Sequence, residues 1–246
     1  MNKMIEELTL NAWPSLQTVV YDGWLLRFAE GYTKRSNSVS ALYACNEHHL
    51  EERIAACESL YIEAGQDTIF KITPFGPPEL DQILAQRGYA IADPSRVMII
   101  ERLSDVPAPE LHDIKMEDSL SETWLNTMCE MNRIAGTNKQ IAAQIMTSSK
   151  QKQAYFTLAV NGEPVACGLG VIERGYIGLY DIVTAEAQRN RGYGEQLIRH
   201  MLHFAREQGA AKGYLQVVQS NASANRLYRK LNYQESYPYW YRVLKR

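Results

Sequence analysis

Six residues, RNRGYG at positions 189–194, place two glycines and two arginines at the start of an amphipathic run. The run before them, GYIGLYDIVT, predicts a strand, and the run after them, GEQLIRHMLHFAREQG, predicts a helix. A strand that turns into a helix aims several free backbone N–H groups at one point, and such a point attracts phosphate. Gly192 and Gly194 let an anion approach the main chain without an intervening Cβ, while Arg189 and Arg191 add positive charge. The segment therefore predicts a phosphate-binding loop.

Two other kinds of phosphate loop do not fit these residues. A Walker-type loop needs Gly-Lys followed by Ser or Thr, and here Gly194 is followed by Glu195. A dinucleotide fingerprint needs a small residue at position 197, where the chain has Leu197. From the residues alone one alternative stays open, a helix start at which the glycines serve only the turn.

A second motif, VQSNASANRLYRKLNY, occupies positions 218–233. It resembles the N-x-x-A-x-x-L-Y-x-K-L-G-F/Y segment of the GNAT superfamily of acyl-CoA-dependent N-acetyltransferases, and RNRGYG resembles the R/Q-x-x-G-x-G/A pyrophosphate loop of that superfamily. The interval between Gly194 and Asn221 has room for one helix and one strand, as that fold requires. The resemblance covers residues 110–246 and implies an α/β (α+β) fold, with a mixed, mostly antiparallel central sheet flanked by helices. Asn232 stands where the superfamily usually has glycine, and asparagine tolerates the left-handed conformation that the turn needs.

The resemblance implies a binding site for acetyl-CoA. The backbone of residues 182–184 would pair with the pantetheine arm like an added strand, and the amides of residues 189–194 would hold the pyrophosphate. Asn221 would hydrogen-bond the arm, or it caps the following helix, and the two roles are compatible. The expected cofactor-binding residues are Ile182, Val183, Thr184, Arg189, Asn190, Arg191, Gly192, Tyr193, Gly194 and Asn221.

Tyr228, within the second motif, is the expected proton donor. Attack of an amine on a thioester expels a thiolate whose conjugate acid has a pKa of about 8.5, whereas a tyrosine with a pKa of about 10 is still protonated at pH 7. Tyr228 also shares a helical face with Ala224, Leu227 and Leu231, so a packing tyrosine is the alternative interpretation.

The acceptor also has to lose a proton. Presenting an alkyl amine with a pKa of about 10.4 as the free base at pH 7 costs about 4.6 kcal/mol. Asp181 and Glu173 lie in the expected strands, and Asp181 is the predicted catalytic carboxylate, although alternation leaves open which side chain faces the cleft. No covalent acyl-enzyme is needed, because a bound thioester is already activated, so Cys167 is expected to be a buried strand residue.

No metal site is expected. His200 and His203 are three residues apart on the helix after the glycine loop, but no H-E-x-x-H carboxylate accompanies them. A solvated helix face is the expected place for both.

The predicted elements recur in the same order on either side of a linker. The linker is predicted at LSDVPAPELHD, where Pro107 and Pro109 withhold backbone donors. Before it, EERIAACESLYIEAG and PPELDQILAQRGY predict helices, each followed by a strand, DTIFKIT and SRVMIIERL. After it, the helix that follows the glycine loop and ASANRLYRKLN are likewise followed by the strands GYLQVVQS and YWYRVL.

Two landmarks repeat at a spacing of 144 residues, Gly65 with Gly209 and Tyr89 with Tyr233. They predict a diverged internal repeat. The same shift sets CNEHHL, residues 45–50, against RNRGYG, so only the second copy can make the phosphate loop. The opening run AWPSLQTVVYDGWLLRFAEGYTKRSNSV resembles the leading half of bacterial GNAT proteins that carry two tandem copies, the first degenerate. The predicted domains are residues 1–105, a degenerate copy, and residues 106–246, the catalytic copy.

The net charge of −2 hides an asymmetry between these halves. Residues 1–105 carry 9 Lys and Arg against 15 Asp and Glu, a net charge of −6, and residues 106–246 carry 17 against 13, a net charge of +4. An anionic ligand is therefore expected in the second half, and a nucleic-acid binder is not expected. The four cysteines lack C-x-x-C pairing, no secretory leader precedes Asn11, and no apolar run approaches about 20 residues. A cytoplasmic protein without a membrane anchor is the expectation.

The leading hypothesis is direct transfer of an acetyl group from acetyl-CoA to a primary amine of a small-molecule or peptide acceptor. A non-catalytic module that senses acyl-CoA and acts through a protein partner is the alternative, and a longer acyl group or a hydroxyl acceptor is a third interpretation. The first half would wall the acceptor cleft, where Lys34 and Arg35 meet either an acidic acceptor or solvent. Neither the acceptor nor the oligomeric state is predicted.

Overall fold

The computed structural model of the protein describes residues 3–43 and 49–246, and in these ranges the chain forms one continuous sheet of eleven strands. The strands are β1 (Gln17–Tyr21), β2 (Trp24–Phe28), β3 (Val39–Ser40), β4 (Thr68–Ile72), β5 (Ala90–Ile100), β6 (Ile114–Glu117), β7 (Lys152–Val160), β8 (Glu163–Glu173), β9 (Tyr176–Thr184), β10 (Lys212–Val218) and β11 (Gln234–Leu244). The α-helices are α1 (Met4–Ala12), α2 (Leu50–Glu63), α3 (Leu80–Gln86), α4 (Glu122–Asn132), α5 (Thr137–Ser148), α6 (Tyr193–Glu207) and α7 (Ala222–Lys230). None of these helices is long and apolar enough to cross a membrane.

The order of the strands in the sheet is β1-β2-β3-β4-β11-β5-β10-β9-β8-β7-β6. The pairs β3–β4 and β9–β10 are parallel, and all other neighbours in this order are antiparallel. The predicted mixed, mostly antiparallel sheet flanked by helices is therefore confirmed. The last strand lies between two strands of the first half of the chain, because Val243 of β11 is opposite Ile69 of β4 on one side and Ala90 of β5 on the other.

The predicted helices and strands around the linker are confirmed, with boundaries that differ by a few residues. β5 and β11 begin earlier than predicted, at Ala90 and Gln234, because each lies between two neighbours that extend its pairing. The turns after the helices are left-handed, as their residue types predict, with φ of +70° at Gly65, +87° at Gly209 and +66° at Asn232. The segment of residues 45–48 that was set against the glycine loop lies outside the described residues.

Side chains on the two faces of β9 and β10 belong to different buried groups. Tyr180 and Tyr214 join the group that packs under α1, α4 and α5, and we call this side the α4 face. Leu179 and Leu215 join the group that packs under α6 and α7, and we call that side the α6 face. The predicted apolar stripe of α6, formed by Leu197, Ile198, Met201, Leu202 and Ala205, is fully buried there.

A buried polar bridge joins the two halves of the chain. The Nζ of Lys71 on β4 lies 2.5 Å from Oε2 of Glu6 on α1, and the hydroxyl of Tyr237 on β11 donates to Oε1 of the same carboxylate at 2.6 Å. The Lys71 ammonium also lies 4.6 Å from the centroid of the Tyr239 ring. Because both charges are buried and paired, removal of either partner would leave an unpaired charge in the core.

The predicted linker runs along α6 and is fixed there by hydrogen bonds from three side chains of the helix. His200 Nε2 donates to the Leu111 carbonyl at 2.5 Å, and His203 Nε2 donates to the Val106 carbonyl at 3.1 Å. Arg199 adds a hydrogen bond to the Ala108 carbonyl at 3.2 Å. The two histidines therefore contact the linker, and the expected solvated face is wrong for them.

A chain divided after residue 105 tests the position of β11 between β4 and β5. Residues 106–246 alone would leave β10 without β5, and β11 without either of its neighbours. We expect this fragment to aggregate, because long unpaired strand edges template association, and we expect the two fragments to form a soluble complex when they are co-expressed. Size-exclusion chromatography and circular dichroism measure both results. Cooperative unfolding of residues 106–246 as an isolated monomer would show that the second half does not need β4 and β5.

Candidate active site

The two parallel strands β9 and β10 separate part of the way along their length. Their pairing ends at Leu179 opposite Leu215. Beyond this point β9 continues to Thr184 alongside β8, and β10 continues to Val218 alongside β5. A cleft therefore opens between the carboxyl ends of two parallel strands, where backbone groups of β9 face no neighbouring strand on one side.

A β-bulge in β9 marks the start of this cleft. Tyr180 is opposite Leu169 but Val183 is opposite Cys167, so β9 holds one residue more than β8, and Asp181 has φ of +47°. Gly168 leaves room for the side chain that follows the bulge, because a Cβ there would lie 2.5 Å from Cδ1 of Ile182 and would displace it. As a result Ile182 packs on the α6 face and Val183 packs on the α4 face.

A cavity of about 610 Å³ lies at the cleft, bounded by the end of β9 and the starts of α6 and α7. Its lining residues are Asn132, Ile182, Val183, Thr184, Gln188, Arg189, Asn190, Gly192, Tyr193, Gly194, Glu195, Asn221, Ser223, Ala224, Leu227 and Tyr228. Ten of the twelve residues predicted for the site are in this set. The two others are Arg191, which is exposed, and Asp181, whose neighbours lie on the α4 face.

The glycine loop begins α6 at the mouth of the cavity. Gly192 is the residue before the helix, with φ of +83°, and no atom lies within 4 Å of the place that a Cβ would take. The first hydrogen bond of α6 runs from Gln196 N to Gly192 O at 3.1 Å, so the amides of residues 193–195 lie in the first turn, where a helix has no partners for them. A Cβ on Gly194 would lie 3.2 Å from Thr184 Oγ1, so this glycine lets α6 start close against β9.

The start of α7 forms the other side of the mouth. Asn221 caps the helix, since its Oδ1 accepts a hydrogen bond from Ala224 N at 3.1 Å. Asn225, one turn later, is buried and donates to the Val218 carbonyl at 3.1 Å and the Asn221 carbonyl at 2.7 Å. Asn225 thus fixes the turn between β10 and α7, and this role was not predicted from the sequence.

Glu195 joins the two helices behind the cavity. It lies 2.5 Å from Nη2 of Arg199 on α6 and 2.6 Å from Nζ of Lys230 on α7. Burial opposes its charge, but the hydrogen bonds from Lys230 and Arg199 prevail and lower the pKa of the Glu195 carboxyl. The carboxylate therefore ties the first turn of α6 to the last residue of α7. The sequence analysis used Glu195 only to exclude a Walker loop and did not predict that it links α6 to α7.

Tyr228 both packs and lines the cavity. It is 8% exposed, belongs to the buried group on the α6 face, and its ring centroid lies 6.0 Å from that of Tyr233. Burial raises the pKa of the Tyr228 phenol to about 12. The side chain therefore meets the cavity as a neutral hydroxyl at neutral pH.

Of the two candidate carboxylates, only Asp181 lies at the cleft. Its Oδ2 is buried and has no hydrogen-bond partner among the residues that the structure describes. Burial raises the pKa of the Asp181 carboxyl to about 6, against the opposing influence of the Arg35 cation. Glu173 lies at the far end of β8, opposite Tyr176, and accepts hydrogen bonds from Asn11 Nδ2 at 3.0 and 3.2 Å.

The remaining thiol and metal candidates do not add chemistry to the cleft. Cys167 is fully buried, as expected, and burial raises the pKa of its thiol to about 12. Within residues 3–43 and 49–246, no three His, Cys, Asp or Glu side chains gather closely enough to hold a metal ion.

Six lining residues were not predicted for the site from the sequence, namely Asn132, Gln188, Glu195, Ser223, Ala224 and Leu227, and three of them on different elements show why. Ser223 lies in the first turn of α7, two residues after Asn221, so the rule that helix starts face an anion site could have found it. Gln188 precedes the glycine loop directly. Asn132, at the end of α4, is more than 50 residues from the loop and carries no local signal.

The parted strands, the bulge and the glycine helix start together define an acetyltransferase of the GNAT type. Among solved structures, the GCN5-related N-acetyltransferase from Kribbella flavida has this fold, with a TM-score of 0.74 at 16% identity over 98% of this chain and 94% of that one. The chain belongs to the family described as "Probable histone acetyltransferase Rv0428c C-terminal", which matches residues 3–242. The GNAT fold and the acetyltransferase class indicated by the two motifs are therefore confirmed.

Two other relatives are similar over most of the chain. The uncharacterized N-acetyltransferase YobR of Bacillus subtilis (strain 168) is 28% identical over 249 residues, which cover 98% of each protein. The structure described as a tandem GNAT protein from the clavulanic acid biosynthesis pathway (without AcCoA) has a TM-score of 0.64 at 12% identity, over 84% of this chain and 74% of that one.

Replacement of Asn221 separates its capping role from a ligand-binding role. Asn221→Ala removes the cap, and we expect it to lower the free energy of unfolding by about 1 kcal/mol, measured by urea denaturation. Asn221→Ser keeps a capping oxygen and should restore stability. If Asn221 also binds a ligand through its longer side chain, Asn221→Ser loses affinity for desulfo-coenzyme A while it keeps wild-type stability. Unchanged stability in Asn221→Ala would contradict the capping role.

Proposed function

We propose that this protein transfers an acetyl group from acetyl-CoA directly to a primary amine of its acceptor. The observation that carries the proposal is the meeting of the helix start at Gly192 with the cleft between β9 and β10, in one cavity of about 610 Å³. Enzymes of the GNAT fold use acetyl-CoA, and they act on small-molecule or peptide acceptors. The same class of donor and acceptor is proposed here.

The residues around the cavity fit acetyl-CoA. The free amides of residues 193–195 and the partial positive charge of the α6 start suit a diphosphate, and the open space at Gly192 lets an anion reach them. Arg189 adds a cation beside β9, since its Nε donates to the Thr184 carbonyl at 3.4 Å. Residues 182–184 offer unpaired backbone groups along the cleft to the amide-rich arm. When bound, acetyl-CoA supplies a thioester that is already activated towards an amine.

Tyr228 acts on the leaving sulfur. With a pKa of about 12, its hydroxyl stays protonated and donates a hydrogen bond into the cavity. A thiol has a pKa of about 8.5, so complete transfer of the Tyr228 proton would be uphill by about 5 kcal/mol. Tyr228 therefore stabilises the developing negative charge chiefly as a donor, and the proton that ends on the thiol derives from the acceptor nitrogen.

Asp181 takes the proton from the acceptor amine. The rise of its pKa from 3.8 to about 6 brings it closer to that of an alkyl ammonium, near 10.4, and lowers the cost of proton transfer by about 3 kcal/mol. At pH 7 the carboxylate is still mostly ionised. A base tuned in this way fits transfer to an amine, whereas a module that only senses acyl-CoA has no use for it.

The proposal extends to the organisation of the chain as two tandem copies, residues 1–105 and residues 106–246. β5 and β11 have bounds that are separated by 144 residues at both ends, which is also the spacing of Gly65 and Gly209. Each strand lies beside the parallel pair of the other copy, so the copies exchange their last strands. The similarity to a protein described as a tandem GNAT supports this reading. The first copy keeps the architecture and lacks the glycine loop.

Release of free thiol in the presence of acetyl-CoA and an amine panel tests the activity. We expect Tyr228→Phe to lower kcat about 100-fold, because one donor to the developing charge is lost. Calorimetric titration with desulfo-coenzyme A is the control, and its affinity should be unchanged. Wild-type protein that binds desulfo-coenzyme A but acetylates no amine would favour the sensing module. Absence of binding would contradict the proposal as a whole.

The pH dependence of kcat/KM tests Asp181. Below its pKa the carboxyl is protonated and cannot accept a proton, so we expect kcat/KM to fall on the acid side with a midpoint near pH 6. Asp181→Asn should lower kcat at least 100-fold and abolish this acid limb. An unchanged limb in the variant would assign the base to another group.

The same substitution has a predicted effect on stability, with a defined sign. Because the pKa of Asp181 is higher in the folded protein than in the unfolded chain, its contribution to stability is largest below pH 3.8 and declines as pH rises to about 6. Asp181→Asn removes this decline, which amounts to at most about 3 kcal/mol. The melting temperature of the variant relative to wild type should therefore be higher at pH 7.5 than at pH 4. A variant less stable than wild type by the same amount at both pH values would contradict this.

A further inference from the structure

Arg35 lies on the α4 face of the cleft, next to the proposed base. It belongs to the short 3-10 turn Lys34–Ser36 of the first half of the chain. Its guanidinium carbon is 5.4 Å from the centroid of the Tyr180 ring and 5.7 Å from that of Trp13, and these two rings are stacked on each other. Tyr180 directly precedes Asp181. The first half thus delivers one cation to the point where the strands part.

The loop that carries Arg35 is rigidly held. Asn37 is 2% exposed, and its Oδ1 accepts from Ala29 N at 2.7 Å while its Nδ2 donates to the Tyr32 carbonyl at 2.6 Å. Arg27, also buried, donates to the Arg35 carbonyl at 2.6 Å and to the Trp13 carbonyl. These bonds hold the backbone around Arg35, so the guanidinium is presented against the rings of Trp13 and Tyr180 from a fixed position.

Polar atoms on three elements around this point are buried without partners among the described residues. They are Nε of Arg35, Oδ2 of Asp181, and both amide atoms of Gln216. Gln216 follows Leu215, the last residue of β10 that pairs with β9, and it alternates with Tyr214, so it points to the α4 face as well. Buried polar groups without partners are destabilising, and a polar ligand in the cleft would satisfy several of these at once.

Arg35 and Asp181 carry opposite charges but do not neutralise each other. Each influences the pKa of the other, yet the described residues contain no ion pair within 4 Å between them. The neighbouring cation, Lys34, is already paired with Asp93 at 2.8 Å. Arg35 therefore keeps a positive charge that is available to a ligand. The carboxylate of Asp181, the proposed base, lies close to it.

We propose that Arg35 binds an anionic group of the acceptor, so that the acceptor is a small amino acid-like molecule that carries an amine and a carboxylate or phosphonate. This inference rests on the proposed function. The anion pairs with Arg35, the amine faces Asp181, and the amide of Gln216 hydrogen-bonds the polar body between them. The rings of Trp13 and Tyr180 bound the site on the apolar side. A lysine-rich peptide fits less well, because it would bring further positive charge against Arg35.

Matched acceptors measure the preference directly. We compare L-phenylalanine with L-phenylalaninamide and β-alanine with β-alaninamide, and we add 2-aminoethylphosphonate to separate the two kinds of anion. Wild-type protein should show a kcat/KM about 10- to 100-fold higher for the anionic member of a pair, as expected for a charge-assisted hydrogen bond. Equal values within each pair, or a lysine-rich peptide as the best substrate, would overturn the inference.

Variants at two adjacent positions assign the preference to Arg35. Arg35→Gln should lower the ratio of kcat/KM between an anionic acceptor and its amide at least 10-fold, and Arg35→Lys should recover part of that ratio. Lys34→Gln is the matched control, since it also removes one cation from the same turn, and its selectivity should equal that of wild type. Melting temperatures and desulfo-coenzyme A affinities of all variants show whether a change reflects folding. Unchanged selectivity in a folded Arg35→Gln would refute the role of Arg35.

Binding of a non-reactive anion separates this inference from the proposed function. 3-Phenylpropionate has the carboxylate of L-phenylalanine but no amine, and it is titrated by calorimetry into the complex with desulfo-coenzyme A. Binding that depends on Arg35 supports the anion site, even if no amine releases thiol and the proposed activity is wrong. Transfer to amines together with carboxylate binding that is the same in Arg35→Gln and wild type would leave the activity intact and refute the site.

Discussion

The separation of β9 from β10 after Leu179 is the constraint on which the site depends. A parallel pair that stayed joined would satisfy the backbone groups of residues 180–184 within the sheet. The bulge at Asp181 and the missing side chain of Gly168 bend β9 away at this position. α6 then begins where β9 ends, so the cleft and the helix start that is proposed to bind the diphosphate share one cavity.

The two sides of the cleft have different chemistry. On the α6 face, backbone amides and Arg189 suit a phosphate-bearing donor, and Tyr228 is a neutral hydroxyl beside them. On the α4 face, a carboxylate and a guanidinium stand apart among aromatic rings. One side is built from the second half of the chain alone, whereas the other also requires the loop of residues 29–37. Under the proposed function, the first half of the chain would therefore take part in the choice of acceptor although it has no phosphate loop.

The sequence predicted the local parts of this arrangement better than the long-range ones. The glycine loop, the cap at Asn221 and the left-handed turn at Asn232 depend on neighbouring residues, so their types were sufficient. The place of β11 between β4 and β5 depends on pairing between residues more than 130 positions apart, for which a single sequence holds no signal. The same reason applies to Asn132 and to the contact of Arg35 with Tyr180. Whether the residues predicted for binding and catalysis perform those roles stays a prediction.

The position of β11 between β4 and β5 also has a consequence for how the protein is made. The ribosome releases β4 and β5 long before β11, yet β11 must lie between them. A nascent chain therefore has to keep this place in the sheet accessible until the last eleven-residue strand emerges. Pairings of such large sequence separation form slowly, and during that time the waiting edges are exposed to other chains. Completion of the sheet is thus a late step, in which one strand joins the strands of both halves at once.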